Sequence, residues 1–87
     1  MKQTLGARTE TLRVTNEHSG RFLLCLEPLG EQVAMEPHSA YEIVTSGGDV
    51  GSVEIILDDD KLIVYGWNGS ESTVFHNGRR VAGVGPS

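Results

Sequence analysis

Apolar and polar residues alternate with a period of two along most of this chain. The alternation is clean at 11–15, and it recurs at 32–35, 41–43 and 53–55. Strict alternation is typical of a β-strand that buries one face. Valine, isoleucine and threonine together number 19 residues against 4 alanines, which favours strands over helices. The pattern therefore predicts an all-β protein.

Clusters of turn-forming residues interrupt the alternation. The strongest is Asn77-Gly78, which predicts a type I′ hairpin because both central residues of that turn need a positive φ. The breaks leave eight predicted strands, at 9–16, 21–27, 31–35, 39–45, 52–58, 60–66, 71–76 and 79–82. Short strands joined by tight turns predict a small antiparallel β-sandwich of seven to eight strands, with a small β-barrel as the alternative.

The length of 87 residues predicts a single domain spanning 1–87. Its ends, at 1–7 and 83–87, are expected to be loosely ordered, as the first and last residues of most domains are.

Three segments carry apolar residues on both strand faces. If the alternating strands point one set inward, a second apolar set remains. The inward set is Leu12, Val14, Val33, Met35, Tyr41, Ile43, Val53, Ile55 and Leu57, and the second set is Leu23, Cys25, Ile56, Ile63, Tyr65, Trp67 and Phe75. Loops or a terminal arm could cover the second set, a barrel could bury it, or it could form an intermolecular surface. The third explanation places partner contacts on Leu23, Ile56, Ile63, Tyr65 and Trp67.

Charge is concentrated in the middle of the chain. The net charge is −5, while residues 21–60 contain one basic and nine acidic residues and sum to −8. This distribution argues against nucleic-acid and membrane partners, and no apolar run approaches the ~18 residues of a membrane helix. The acidic block is interpreted either as an ordinary solvated edge or as a surface that steers a basic partner.

No motif predicts catalysis, a metal site or a cofactor. His18, His38 and His76 lack ligand spacing, and Cys25 is the only cysteine, so we expect it to be a buried free thiol. The acidic run 58–60 fits a tight turn better than a calcium loop, and the glycine-rich run 46–51 lacks the lysine and helix of a phosphate-binding loop.

The sequence favours a non-enzymatic protein-interaction or assembly module that binds a protein partner or a second copy of itself. One alternative is a small-ligand domain, with Tyr65 and Trp67 stacking on a sugar or another planar ligand. Another is a small acidic inhibitor or immunity-type protein. The single cysteine and the absence of a signal-peptide pattern in residues 1–20 predict a cytoplasmic protein.

Overall fold

The computed structural model describes residues 9–48 and 51–83. Within these ranges the chain forms eight strands and no helix: β1 (Thr9–Asn16), β2 (Phe22–Glu27), β3 (Glu31–Met35), β4 (Ser39–Ser46), β5 (Glu54–Leu57), β6 (Lys61–Tyr65), β7 (Glu71–His76) and β8 (Arg79–Gly83). Every predicted strand is confirmed, with bounds that differ by at most two residues. The predicted loose ends at 1–7 and 84–87 lie outside the described residues, whereas Gly83 is the last residue of β8.

The described strands form two four-stranded sheets. Sheet I has the order β1-β4-β7-β8, and sheet II has the order β3-β2-β6-β5. This confirms the predicted β-sandwich, and the described strands do not close into a barrel. One pairing departs from the antiparallel expectation, because β2 and β6 run parallel. The chain visits sheet I through β4 between these two strands, so no hairpin constrains their relative direction.

The core lies between the two sheets and is built from one parity of every described strand except β5. Its fully enclosed side chains are Leu24, Leu26, Met35, Tyr41, Ile43, Val64 and Val74. The partly buried residues packed against them include Leu12, Val14, Val33 and Val53, which the alternation predicted to point inward. Thr45 and Ser72 are also buried. Their hydroxyl oxygens are 2.8 Å apart, so the two hydroxyl groups form a hydrogen bond with each other.

The turn between β7 and β8 confirms the hairpin that the sequence predicted. Asn77 has a φ of 54° and Gly78 a φ of 78°, so both central residues occupy the left-handed region that a type I′ turn requires.

Asn16, at the end of β1, ties the two sheets together. The side chain is buried, and its Nδ2 donates to the carbonyl oxygens of Met35 at 3.1 Å and of Gly20 at 2.9 Å. Its Oδ1 accepts from the backbone N–H of His18 at 2.9 Å. Because Met35 ends β3, these bonds fix one end of sheet II against sheet I.

The two lateral edges of the sandwich differ. At one edge, the backbone N–H of Gly83 in β8 donates to Oε1 of Glu31 in β3 at 2.7 Å, which joins the sheets. At the other edge lies β5, where Ile55 is 44% and Leu57 is 74% exposed. The prediction that these two residues belong to the core was wrong. They have the inward parity, opposite Val64 and Leu62, but β5 is an edge strand and sheet I does not enclose it.

Candidate interaction surface

The second apolar set lies largely on the outer face of sheet II. Cys25 pairs with Ile63 in the parallel register, and Ile63 pairs with Ile56, so the three residues form one row across β2, β6 and β5. Leu23 lies two residues before Cys25, and Tyr65 lies two residues after Ile63, so they extend this row on the same side. We call these five residues the apolar face.

Exposure within the apolar face increases toward β5. Cys25 is buried, Leu23 and Ile63 are half-buried, and Ile56 and Tyr65 are 40% and 37% exposed. This gradient follows from strand order, since a residue on a central strand has neighbours on both sides and one on the edge has neighbours on a single side. The accessible part of the apolar face therefore lies over β6 and β5.

Charged side chains surround the apolar face. In the register of sheet II, Tyr65 lies between Glu27 of β2 and Glu54 of β5. Lys61 lies beside Leu23, at the end nearest the β5–β6 turn. An apolar centre with a charged periphery is the usual arrangement of a protein interface, in which the periphery stays hydrated.

Trp67 does not belong to this surface. It is only 6% exposed, and its indole N–H donates to the carbonyl oxygen of Gly47, in the loop after β4. Gly51 packs so closely that a Cβ there would overlap Cβ of Trp67. The strand parity that placed Trp67 beside Tyr65 does not extend past Tyr65, because β6 ends there and Gly66 follows.

Two glycines of the glycine-rich run, Gly48 and Gly51, pack closely at this end of the sandwich. Gly48 has a φ of +70°, and a Cβ at this position would overlap the backbone carbonyl oxygen of Asn68. At Gly48 the backbone therefore lies against the backbone of the loop that carries Trp67, which requires a residue without a side chain.

The outer face of sheet I has a different composition. Its central row joins Arg13 of β1, Glu42 of β4 and Phe75 of β7, and the neighbouring positions on β1 are threonines. A concavity of about 510 Å³ lies over this row, and His38 contributes to its rim. The pairing of β1, β4 and β7 creates this concavity, so no local pattern in the sequence predicts it. Phe75, assigned to the second apolar set, therefore lies on sheet I.

The three histidines are separated and have distinct local roles. The His18 ring stacks on Phe22 with centroids 5.1 Å apart, and the His76 ring stacks on Tyr41 with centroids 4.2 Å apart. His38 occupies a turn with a φ of 54°. Among residues 9–48 and 51–83, no three His, Cys, Asp or Glu side chains gather in a way that could hold a metal ion.

The acidic run 58–60 forms the turn of the β5–β6 hairpin. The backbone N–H of Asp58 donates to the carbonyl oxygen of Lys61 at 2.9 Å, and Oδ1 of Asp58 accepts from the N–H of Asp59 at 2.8 Å. These contacts are typical of aspartate in tight turns. All three carboxylates are exposed at the end of β5.

No family model, curated protein or solved structure matches this chain. No helix long and apolar enough to cross a membrane is found in the described part of the chain.

Proposed function

We propose that this protein is a non-enzymatic interaction module that binds a protein partner through the apolar face. The observation that carries the proposal is the continuous row of Cys25, Ile63 and Ile56 on one outer face, next to the exposed ring of Tyr65. Apolar surface that includes an aromatic ring and is surrounded by charges is characteristic of the energetic centre of an interface.

The charge distribution supports a basic partner. Glu27 and Glu54 flank Tyr65, and the aspartates of 58–60 lie at the end of β5, whereas Lys61 is the basic residue of this edge. A partner that carries lysine or arginine around an apolar centre would complement this arrangement and associate faster at low ionic strength. Cys25 is a buried free thiol, which suits the reducing cytoplasm, where we place the protein.

The geometry gives less support to a small-ligand site built on Tyr65 and Trp67. The two rings do not form a common platform, since Trp67 is buried and its indole N–H is bonded to Gly47. The cavity beside Trp67 has a volume of about 160 Å³. Pockets for drug-sized ligands typically have volumes of ~300–1,000 Å³, so this cavity is small for a sugar or a cofactor.

The proposal is tested by capturing partners with matched surface variants. Wild-type protein, Ile56→Lys and Thr11→Lys are immobilised and exposed to an extract of the source cells, and a retained protein is then purified and titrated against each variant. We expect Ile56→Lys to weaken binding at least about tenfold, because it places an ammonium group on the most exposed residue of the apolar face. Thr11→Lys adds the same charge to the outer face of sheet I and should bind as the wild type does.

Sedimentation velocity of the purified protein tests whether two copies associate through the apolar face. A dimer that Ile56→Lys dissociates would also support the proposal, with a second copy as the partner. Equal binding by Ile56→Lys and Thr11→Lys would overturn it, as would a strict monomer that retains no protein. Thermal unfolding of both variants confirms that a loss of binding does not reflect a loss of fold.

A further inference from the structure

We infer that the free edge of β5 binds an extended, basic segment of the partner, which adds to sheet II as a fifth strand. The inference rests on the proposed function and specifies how the partner engages the same surface. Among the strands of residues 9–48 and 51–83, β5 is the end strand of sheet II, and each of its four residues is exposed. The partner strand would therefore lie beside Ile56, at the exposed end of the apolar face.

The backbone direction of β5 identifies the groups that a partner can use. The N–H of Asp58 donates to Lys61, so residue 58 points its backbone groups at β6. Backbone direction alternates along an antiparallel strand, so Ile56 also points toward β6, while Ile55 and Leu57 point away from it. The N–H and C=O groups of Ile55 and Leu57 are thus directed to the free edge.

β5 also lacks the features by which other edge strands discourage pairing. β8 carries Arg79 and Arg80 and opposes an irregular register at Val74/Phe75 of β7, and β1 carries Arg13. Lysine or arginine, proline and bulges protect sheet edges, and residues 55–57 contain only apolar side chains. The protective feature of β5 is its short length, which limits a partner to the four backbone groups of two residues.

An apolar cavity next to β5 provides room for a side chain of the added strand. It has a volume of about 190 Å³, and Leu57, Leu62, Phe22, Met35 and Val14 contribute to its lining. Alternate side chains of an added strand project toward the two faces of the sheet. A leucine-sized side chain on the inner side would cover Leu57, which is 74% exposed, while the next residue would lie beside Ile56.

The charges at both ends of β5 specify a basic segment. Glu54 begins the strand and Asp58, Asp59 and Asp60 follow it, so four carboxylates border three apolar residues. Antiparallel pairing of two copies of β5 would bring these carboxylates opposite each other, and each chain carries a net charge of −5. This repulsion favours a partner with lysine or arginine on both sides of an apolar strand over a second copy of this chain.

The experiment uses synthetic peptides and NMR on the full chain. The probe is a ten-residue peptide in which six alternating leucine and threonine residues are flanked by two lysines at each end. In the matched peptide, four glutamates replace the four lysines. We expect the lysine peptide to bind at least about tenfold more tightly than the glutamate peptide. It should slow amide hydrogen exchange at Ile55 and Leu57 at least about tenfold, with little change at Ile56, whose N–H already bonds to β6.

Two substitutions distinguish binding to the backbone of the β5 edge from binding to its side chains. Ile55→Pro removes an outward N–H without removing a bond to β6, and Ile55→Val keeps that N–H with a similar side chain. Ile55→Pro should reduce peptide binding at least about tenfold, whereas Ile55→Val should remain within about twofold of the wild type. The exchange experiment needs no substitution, so it stands even if Ile55→Pro does not fold.

The outcomes distinguish this inference from the proposed function. Equal binding of the two peptides, unchanged exchange at Ile55 and Leu57, or full binding by Ile55→Pro would overturn edge addition. A natural partner that Ile56→Lys loses and Ile55→Pro retains would also overturn edge addition, yet it would support docking on the apolar face. Binding of the lysine peptide with protection at Ile55 and Leu57 supports the edge whether or not a natural partner has been found.

Discussion

The outer faces of the two sheets differ in chemistry although both sheets have four strands. On sheet I the outward positions of β1 are threonines and Arg13, and the matching position on β4 is Glu42. On sheet II the outward positions of the two central strands include Leu23, Cys25 and Ile63. The inner faces of both sheets contribute to one core, so packing of that core does not explain the difference between the outer faces. The apolar face is therefore the feature that calls for a function.

Within sheet II, the exposure of an apolar residue on the outer face depends on whether its strand is central or at the edge. The register places Cys25 between Ile63 and Gln32 on a central strand, and it is 4% exposed without belonging to the central core cluster. Ile56, on the edge strand, is ten times as accessible at 40%. An apolar side chain on an edge strand therefore stays accessible, whereas the same kind of side chain on a central strand does not.

The largest expected change in the free energy of unfolding distinguishes two neighbouring leucines of β2, one on the inner and one on the outer face of sheet II. Leu24→Ala removes a fully enclosed side chain and should lower the free energy of unfolding by about 2–5 kcal/mol. Leu23→Ala removes a half-buried side chain on the apolar face and should lower it by about 1 kcal/mol. Urea unfolding measures both. Equal losses would mean that the outer side of β2 is as enclosed as the inner side.

The next effect tests the connection between the two sheets. Asn16→Ala leaves the carbonyl oxygens of Met35 and Gly20 without their buried donor and should lower the free energy of unfolding by about 2–4 kcal/mol. Asn68→Ala, in an exposed turn, is the matched control and should stay within about 0.5 kcal/mol of the wild type. Similar unfolding curves for the two variants would show that Asn16 does not join the sheets energetically.

Thiol alkylation compares the two outer faces directly. Cys25 is buried on sheet II, so iodoacetamide should modify it at least about 30-fold more slowly than a cysteine at position 11 of sheet I. The second protein is Thr11→Cys in a Cys25→Ala background, and intact-mass spectrometry follows both reactions. A rapid reaction at Cys25 would show that the apolar face opens readily around it.

The smallest effect concerns the exposed end of the apolar face. Ile56→Thr keeps a β-branched residue on an exposed edge strand and should change the free energy of unfolding by less than about 0.5 kcal/mol. Chemical denaturation of the whole chain measures this change. A loss above about 1.5 kcal/mol would instead indicate that the chain covers Ile56 with its own residues, which is the first explanation that the sequence left open.

Local features of the sequence predicted most of the fold. The period-two alternation located the strands, and the Asn77-Gly78 pair specified its hairpin, because both depend on residues close together in the chain. The alternation along the strands also separated Leu23, Ile56, Ile63 and Tyr65 from the core side of sheet II. The alternation did not place Trp67 correctly, because β6 ends at Tyr65. Gly66, which follows the strand, is the feature of the sequence that marks this end.

Strand positions, face parity and the acidic central block follow from the sequence, since each is a property of neighbouring residues or of composition. Strand order does not, because it results from the packing of two whole sheets and from contacts between residues distant in the chain. That order made β2 and β6 parallel, placed Cys25 beside Ile63, and left Ile55 and Leu57 on an open edge although their parity points inward. The alternation thus defined two apolar sets, and only the pairing of the strands decided which residues became core and which remained accessible to a partner.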